Sequence, residues 1–219
     1  LQDIENTGKR LELDGISKLR KSLQNHRAFW ESAINRGAPS EWGEQARLVC
    51  GQFDHLLASR GLLLTRDDMP GHVTASAIIC STDFKRVLLT HHRKLNRWLQ
   101  LGGHCDGNPD IAESAYREAE EESGLEGFSF VRWYGEFVMP FTPMPFDFDV
   151  HGIPANSKET AHDHYDVRFI LTTEFREPKI SDESHDVKWF SIEDARRICA
   201  DESTSRQFDK LKWLLLENS

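Results

Sequence analysis

Four cysteines, Cys50, Cys80, Cys105 and Cys199, are spread through the 219 residues with no CxxC pair, so neither a zinc knuckle nor a dithiol redox centre is indicated. Reduced thiols in a cytosol are the simplest reading, and a cytoplasmic location is expected. No run of about 18 uncharged apolar residues occurs, and no basic then apolar leader opens the chain, so neither a membrane span nor a secretory signal is expected. Basic residues are in deficit. The 27 Lys and Arg stand against 36 Asp and Glu, a formal net charge of −9, which argues against general affinity for nucleic acid or anionic membrane. A small anionic ligand held by a local basic patch stays compatible with that balance. Internal repeats and low-complexity tracts are also missing. What is present is core material: 38% apolar residues, with six Trp and thirteen Phe.

Residues 1–14 are polar and expected to fray. Ile16, Leu19, Leu23, Trp30 and Ile34 then recur at helical spacing, and Trp42, Ala46, Val49, Cys50, Phe53, Leu56 and Leu57 form a second such set across the Gly37 and Pro39 break. This predicts a helical hairpin over 15–68, too short for a core of its own and therefore packed on the remainder of the chain. From Met69-Pro70-Gly71 onward the pattern changes to short β-type runs at 72–81, 86–92, 128–138, 164–173 and 187–191. Helices are predicted at about 109–123, 192–200 and 204–216. Strands with scattered helices point to a mixed α/β (α+β) sandwich for 69–219, with the hairpin as an appendage.

The helix at 109–123 carries the chemistry. Asn108 suits its N-cap, Pro109 its first position, Asp110 its positive end and Gly124 its C-terminal cap. Glu118, Glu121 and Glu122 share one face at i, i+3 and i+4, and Glu113 precedes Arg117 by four, the favourable order for an ion pair. Three carboxylates about 5 Å apart repel by roughly 3 kcal/mol per pair at an effective dielectric of 20, and by under about 1 kcal/mol in bulk water. A solvated acidic face is the ordinary outcome for such a helix; a partly buried one demands a cation. Mg²⁺, or Mn²⁺ in its place, prefers such oxygen ligands and joins them to substrate phosphates.

Residues 103–125 resemble the signature of the Nudix hydrolases, the MutT-like pyrophosphohydrolases, written G-x5-E-x7-R-E-U-x-E-E-x-G-U with U apolar. Gly103, Arg117, Glu118, Ala119, Glu121, Glu122, Gly124 and Leu125 match with spacing intact. Pro109 stands where the family usually has its first Glu, a residue thought to support the loop rather than react, so activity is expected to survive. The resemblance covers about 70–200. It implies a Nudix-type α/β/α sandwich, a magnesium site made of Glu118, Glu121, Glu122 and the Gly103 carbonyl, and hydrolysis of a nucleoside diphosphate linked to another moiety X. It also implies that the general base is Glu121, Glu122 or a loop acid, for which Glu183 is the local candidate.

Residues 85–97 hold five Lys or Arg and no acid, whereas 106–126 hold eight acids and one Arg. Arg93, Lys94 and Arg97 are thus candidate phosphate contacts, with a solvated turn as the equal alternative. Trp98 fits core packing as well as base stacking. Side by side, His104 and Cys105 are read as packing rather than as a nucleophile. His151, His162 and His164, with Asp149 and Asp166, form a candidate auxiliary metal site or substrate clamp, because Asp149/His151 and His164/Asp166 would each share a strand face. Two other functions compete. One is a catalytically silent Nudix-like module that senses a nucleotide, which the complete REAEEESG segment disfavours; the other is an isopentenyl diphosphate isomerase-like enzyme, a family that leans on a catalytic Cys and Glu pair not placed in this sequence. The hairpin is a candidate cap or homodimer contact.

Overall fold

A computed structural model describes residues 2–134, 143–155, 159–199 and 201–217. Among these described residues, five helices and eight strands follow one another as α1 (Gln2–Ile34), α2 (Ser40–Ser59), β1 (Gly71–Ser81), β2 (Arg86–His92), β3 (Arg97–Leu99), β4 (Leu101–His104), α3 (Ile111–Ser123), β5 (Ser129–Phe130), β6 (Asp147–Ile153), β7 (His162–Thr173), β8 (Ser184–Ser191), α4 (Ile192–Ile198) and α5 (Glu202–Glu217). Helix α1 runs back through residues 10–14, where the polar composition suggested fraying. Strands pair in the order β3-β2-β1-β7-β5, with β4 on β1, β6 on β7 and β8 on β2. Asp163 N donates to the Pro70 carbonyl and Thr82 N to that of Thr173, so β1 and β7 ascend together. Antiparallel pairs such as Ile79 with Leu88 and Leu88 with Trp189 make the sheet mixed. The chain divides into two compact units.

The first unit comprises Leu1–Thr74, His104–Ile111 and Tyr134–Val167. Along α1, Leu19, Leu23, His26, Trp30 and Ala33 are buried, in alternating steps of four and three that form one stripe, with buried Gly15 four residues before it. That stripe meets α2 closely at Gly43, where a Cβ would lie 2.7 Å from Ile34 Cδ1. Edge-to-face rings continue the core: Trp30 on Trp42 at 5.5 Å, His26 on Phe148 at 4.9 Å, Phe53 on Phe148 at 5.2 Å and on Tyr165 at 5.3 Å. Each such pair contributes about 0.5–1.5 kcal/mol beyond area burial. The Gln45 amide donates to the Phe148 carbonyl at 2.9 Å. The hairpin and β6 therefore share one core, which supplies the apolar cover that two helices alone lack. Pro109 packs here too, its Cβ 3.3 Å from where a Cβ on Gly15 of α1 would sit.

The second unit comprises Ala75–Gly103, Ala112–Trp133 and Arg168–Ser219. Strand β1 is buried along its whole length, which explains its continuous apolar and small-residue run. Helix α3 starts at Ile111 rather than at Pro109, and the Asn108 side chain accepts from Asp110 N at 2.9 Å, in an Asx turn ahead of the first helical turn. It ends on Gly124, whose φ of 61° is the left-handed cap that its sequence position suggests. Of the run at 128–138, the described residues 128–134 hold the two-residue β5, and 135–138 lie outside the described residues. Ser191 caps α4, accepting from Asp194 N at 3.1 Å while its hydroxyl donates to the Asp194 carboxylate at 2.7 Å. Ser191→Ala should lower stability by about 1 kcal/mol, read as a shift of the urea midpoint at constant slope. Among the described residues, no helix is long and apolar enough to cross a membrane.

Candidate active site

The glutamate candidates Glu118, Glu121, Glu122 and Glu183 all fall in the second unit. Strand β4 is short and glycine-rich, and its Gly102 has φ 155° with a Cβ position only 2.5 Å from Ser76 Cα, so β4 lies tight against β1. That close approach presents the Gly102 N–H to α3, where it donates to Glu122 Oε2 at 2.8 Å. At Gly103 a Cβ would stand 2.5 Å from Glu118 Oε2, so the missing side chain is what admits the Glu118 carboxylate beside the main chain. Glu118 and Glu122, one helical turn apart on α3, thus converge on the Gly-Gly pair.

Burial separates the three glutamates. Glu122 is 6% exposed. The Glu118 side chain is 14% exposed and that of Glu121 60%; Arg117 Nη1 bridges the two, at 2.9 and 3.0 Å. Arg117, read from sequence as the partner of Glu113, is therefore also a contact of two site acids. Burial pushes the Glu122 carboxyl up to about 8, opposed by the Gly102 N–H and reinforced by the charges of Glu118 and Glu183. Glu183 is exposed, in the turn before β8, and its charge reaches Glu122. The turn is held from β2: Arg93 N donates to the Glu183 carbonyl at 2.8 Å, and the Arg93 guanidinium to the Ser184 carbonyl at 2.9 Å. Arg93 braces that turn, whereas Lys94 and Arg97 are exposed. Trp98 stacks on His91 at 5.0 Å and meets Phe190 edge-on at 4.9 Å.

This donor set suits a hard divalent cation. Arg117 bridges Glu118 and Glu121, while the more buried Glu122 is held back from ionising by burial and by its acidic neighbours, an imbalance that a divalent ion removes.

The histidine candidates lie in the first unit. His162 Nε2 is 3.3 Å from His164 Nε2, and the His151 ring bonds Asp149 at 3.0 Å. Asp166 instead accepts from the Thr74 hydroxyl at 3.2 Å. Sequence reasoning missed two further members, His72 on β1 and His104 on β4, whose rings lie 4.8 and 5.4 Å from that of His164. Their sequence separation gave no signal. Burial holds His104 down to about 4 and His164 to about 3, and lowers His72 as well.

The sequence profile of the NUDIX domain matches residues 70–213. Among solved structures, the chain is similar to an Ap4A hydrolase from C. elegans, at 18% identity and a TM-score of 0.51, covering 66% of this chain and 98% of that one. It is also similar to a NUDIX-family hydrolase from Clostridium perfringens, at 26% identity and a TM-score of 0.50, covering 65% and 97%. No curated protein matches by sequence. With two thirds of its length under the family profile and Glu118 and Glu122 of the signature gathered on the Gly-Gly strand, the chain belongs to the Nudix family and is a hydrolase acting on pyrophosphate bonds.

Proposed function

We propose that the chain cleaves the diphosphate of a nucleoside diphosphate linked to a second moiety X, in a Mg²⁺-dependent reaction. The observation that carries this reading is the buried Glu122 carboxyl, pushed up to about 8 beside Glu118 and the Gly102–Gly103 main chain. Glu118, Glu121, Glu122 and the Gly103 carbonyl would hold the ion. When bound, the cation polarises the diphosphate and lowers the pKa of water. Arg117 orients Glu118 and Glu121 from one guanidinium, and the Gly102 N–H fixes one oxygen of Glu122 so that the other is free to face the ligand. Glu183, on the turn that Arg93 braces, is the candidate for removing a proton from water, with Glu121 and Glu122 as alternatives. Lys94 and Arg97, both exposed cations, are the candidates for meeting the far phosphate oxygens.

Dinucleotide polyphosphates, nucleotide sugars, ADP-ribose and oxidised nucleoside triphosphates, each incubated with and without Mg²⁺, test the assignment by product analysis. The expected result is Mg²⁺-dependent release of a nucleoside monophosphate and a phosphorylated X from at least one class. Arg97→Ala should then raise KM by about 10-fold with little change in kcat, the mark of contact made equally in ground and transition states. Turnover that proceeds in EDTA, or release of inorganic phosphate alone, overturns the proposal.

A further inference from the structure

We infer that His72, His104 and His164 form a second metal site, for a transition ion of the zinc class, chemically distinct from the glutamate site. One ring nitrogen from each of the three lies within 4.8 Å of the other two. The rings arrive from three strands. His72 stands on β1 and His164 on β7, brought together where Gly71, with no side chain, lets β1 pass the Asp163 carbonyl; a Cβ there would lie 2.6 Å from it. His104 ends β4 and its ring is 5.1 Å from that of His72. His162, two residues before His164 on the same strand face, stacks on His72 at 5.1 Å.

Ring orientation is what distinguishes this group from ordinary packed histidines. His72 Nδ1 is 3.4 Å from the Asp68 carbonyl, and His162 Nδ1 is 2.8 Å from the Thr160 carbonyl. A carbonyl only accepts, so each Nδ1 carries the proton and each Nε2 presents a lone pair. The His72 Nε2 lone pair is buried with no hydrogen-bond partner, although the residue is only 1% exposed. Metal-ligating histidines are oriented in this way, by a carbonyl or carboxylate on the other nitrogen. The Nε2 atoms of His162 and His164, 3.3 Å apart, match the roughly 3.4 Å between neighbouring ligands around a tetrahedral ion with metal–nitrogen bonds of about 2.0–2.1 Å. The triad closes on such an ion by drawing in by about an ångström, a ring rotation at the half-buried His104 and His164, and His162, whose Nε2 adjoins that of His164, is the candidate for a fourth nitrogen. Imidazoles without an acid among them select Zn²⁺, Cu²⁺, Ni²⁺ or Co²⁺ over Mg²⁺.

The full-length protein, dialysed against EDTA and returned to excess Mg²⁺ to fill oxygen sites, should bind one equivalent of Zn²⁺ by calorimetry. Co²⁺ in the same buffer should give the intense visible absorption of a tetrahedral nitrogen site. His164→Gln and His72→Gln should each weaken Zn²⁺ binding by about 100-fold or more. In wild-type protein, long-range ¹H–¹⁵N spectra should show the His72, His104 and His164 ring nitrogens shifting on Zn²⁺ addition, which needs no variant to fold. A flat Zn²⁺ titration, unchanged affinity in both variants, or shifts confined to other histidines overturns the site. Loss of Mg²⁺-dependent hydrolysis is not among these readouts, so the histidine site and the glutamate site fail separately.

Discussion

Glu122→Gln should lose turnover on the order of 10³-fold or more while its circular dichroism stays native. The amide oxygen of Gln still accepts from Gly102 N, now at 2.8 Å, so the contact between α3 and β4 survives the change. What disappears is the charge that answers a cation. Loss of about 4 kcal/mol of electrostatic stabilisation of the transition state corresponds to that factor. A pH signature accompanies it in the metal-free protein. The folded carboxyl titrates at about 8 against an ordinary 4.5, so between those values the folded state holds the proton that the unfolded chain has released. Stability therefore falls as pH rises from about 4.5 to about 8, by an amount on the order of a few kcal/mol, and is flat in this term above that. Glu122→Gln should remove the slope, and Mg²⁺ should stabilise the wild type most at the alkaline end, where the carboxylate is ionised. Urea midpoints in EDTA at about pH 5 and about pH 9 check this. Parallel pH profiles for variant and wild type would falsify the assignment of Glu122 as the buried acid.

Gly102→Ala should be the most damaging single methyl in the second unit. The added Cβ would stand 2.3 Å from Ser76 Cβ, 2.5 Å from Ser76 Cα and 2.6 Å from the Ala75 carbonyl, against backbone with no freedom to yield. The φ of 155° adds conformational strain for any L side chain. Together these cost about 3–5 kcal/mol, a large share of the stability of an ordinary domain. Gly103→Ala separates structure from function, because the atoms nearest its Cβ, from 2.5 Å, are those at the end of the Glu118 side chain rather than backbone. That variant should lose activity by about 10-fold or more with a smaller change in the unfolding midpoint. Equal destabilisation by both would mean that β4 is not pressed on β1 at Gly102.

Glu118, Glu122 and the Gly-Gly pair were legible because α3 is a local object. Its period sets Glu118 and Glu122 one turn apart whatever surrounds it, and Gly124 marks its end. The long strands β1, β2, β7 and β8 were legible for the same reason, their apolar runs being enough to define them. Strand β4, Leu-Gly-Gly-His, was missed as an element because glycine carries no strand preference, and only pairing with β1 makes it extended. Arg93 reads as a phosphate contact by charge alone, yet the structure turns its guanidinium onto the Ser184 carbonyl.

The amino-acid order by itself determined the acidic helix, its C-terminal cap at Gly124 and the family signature, since these depend on neighbours within a few residues. Only the tertiary structure decided that Glu122 would be buried and Glu121 exposed. It alone brought His72, His104 and His164 together, and set the N-terminal helices on Phe146 and Phe148. Burial and convergence come from the packing of strands and helices far apart in the chain. Desolvation, the largest force on these side chains, arises from that packing rather than from any local spacing.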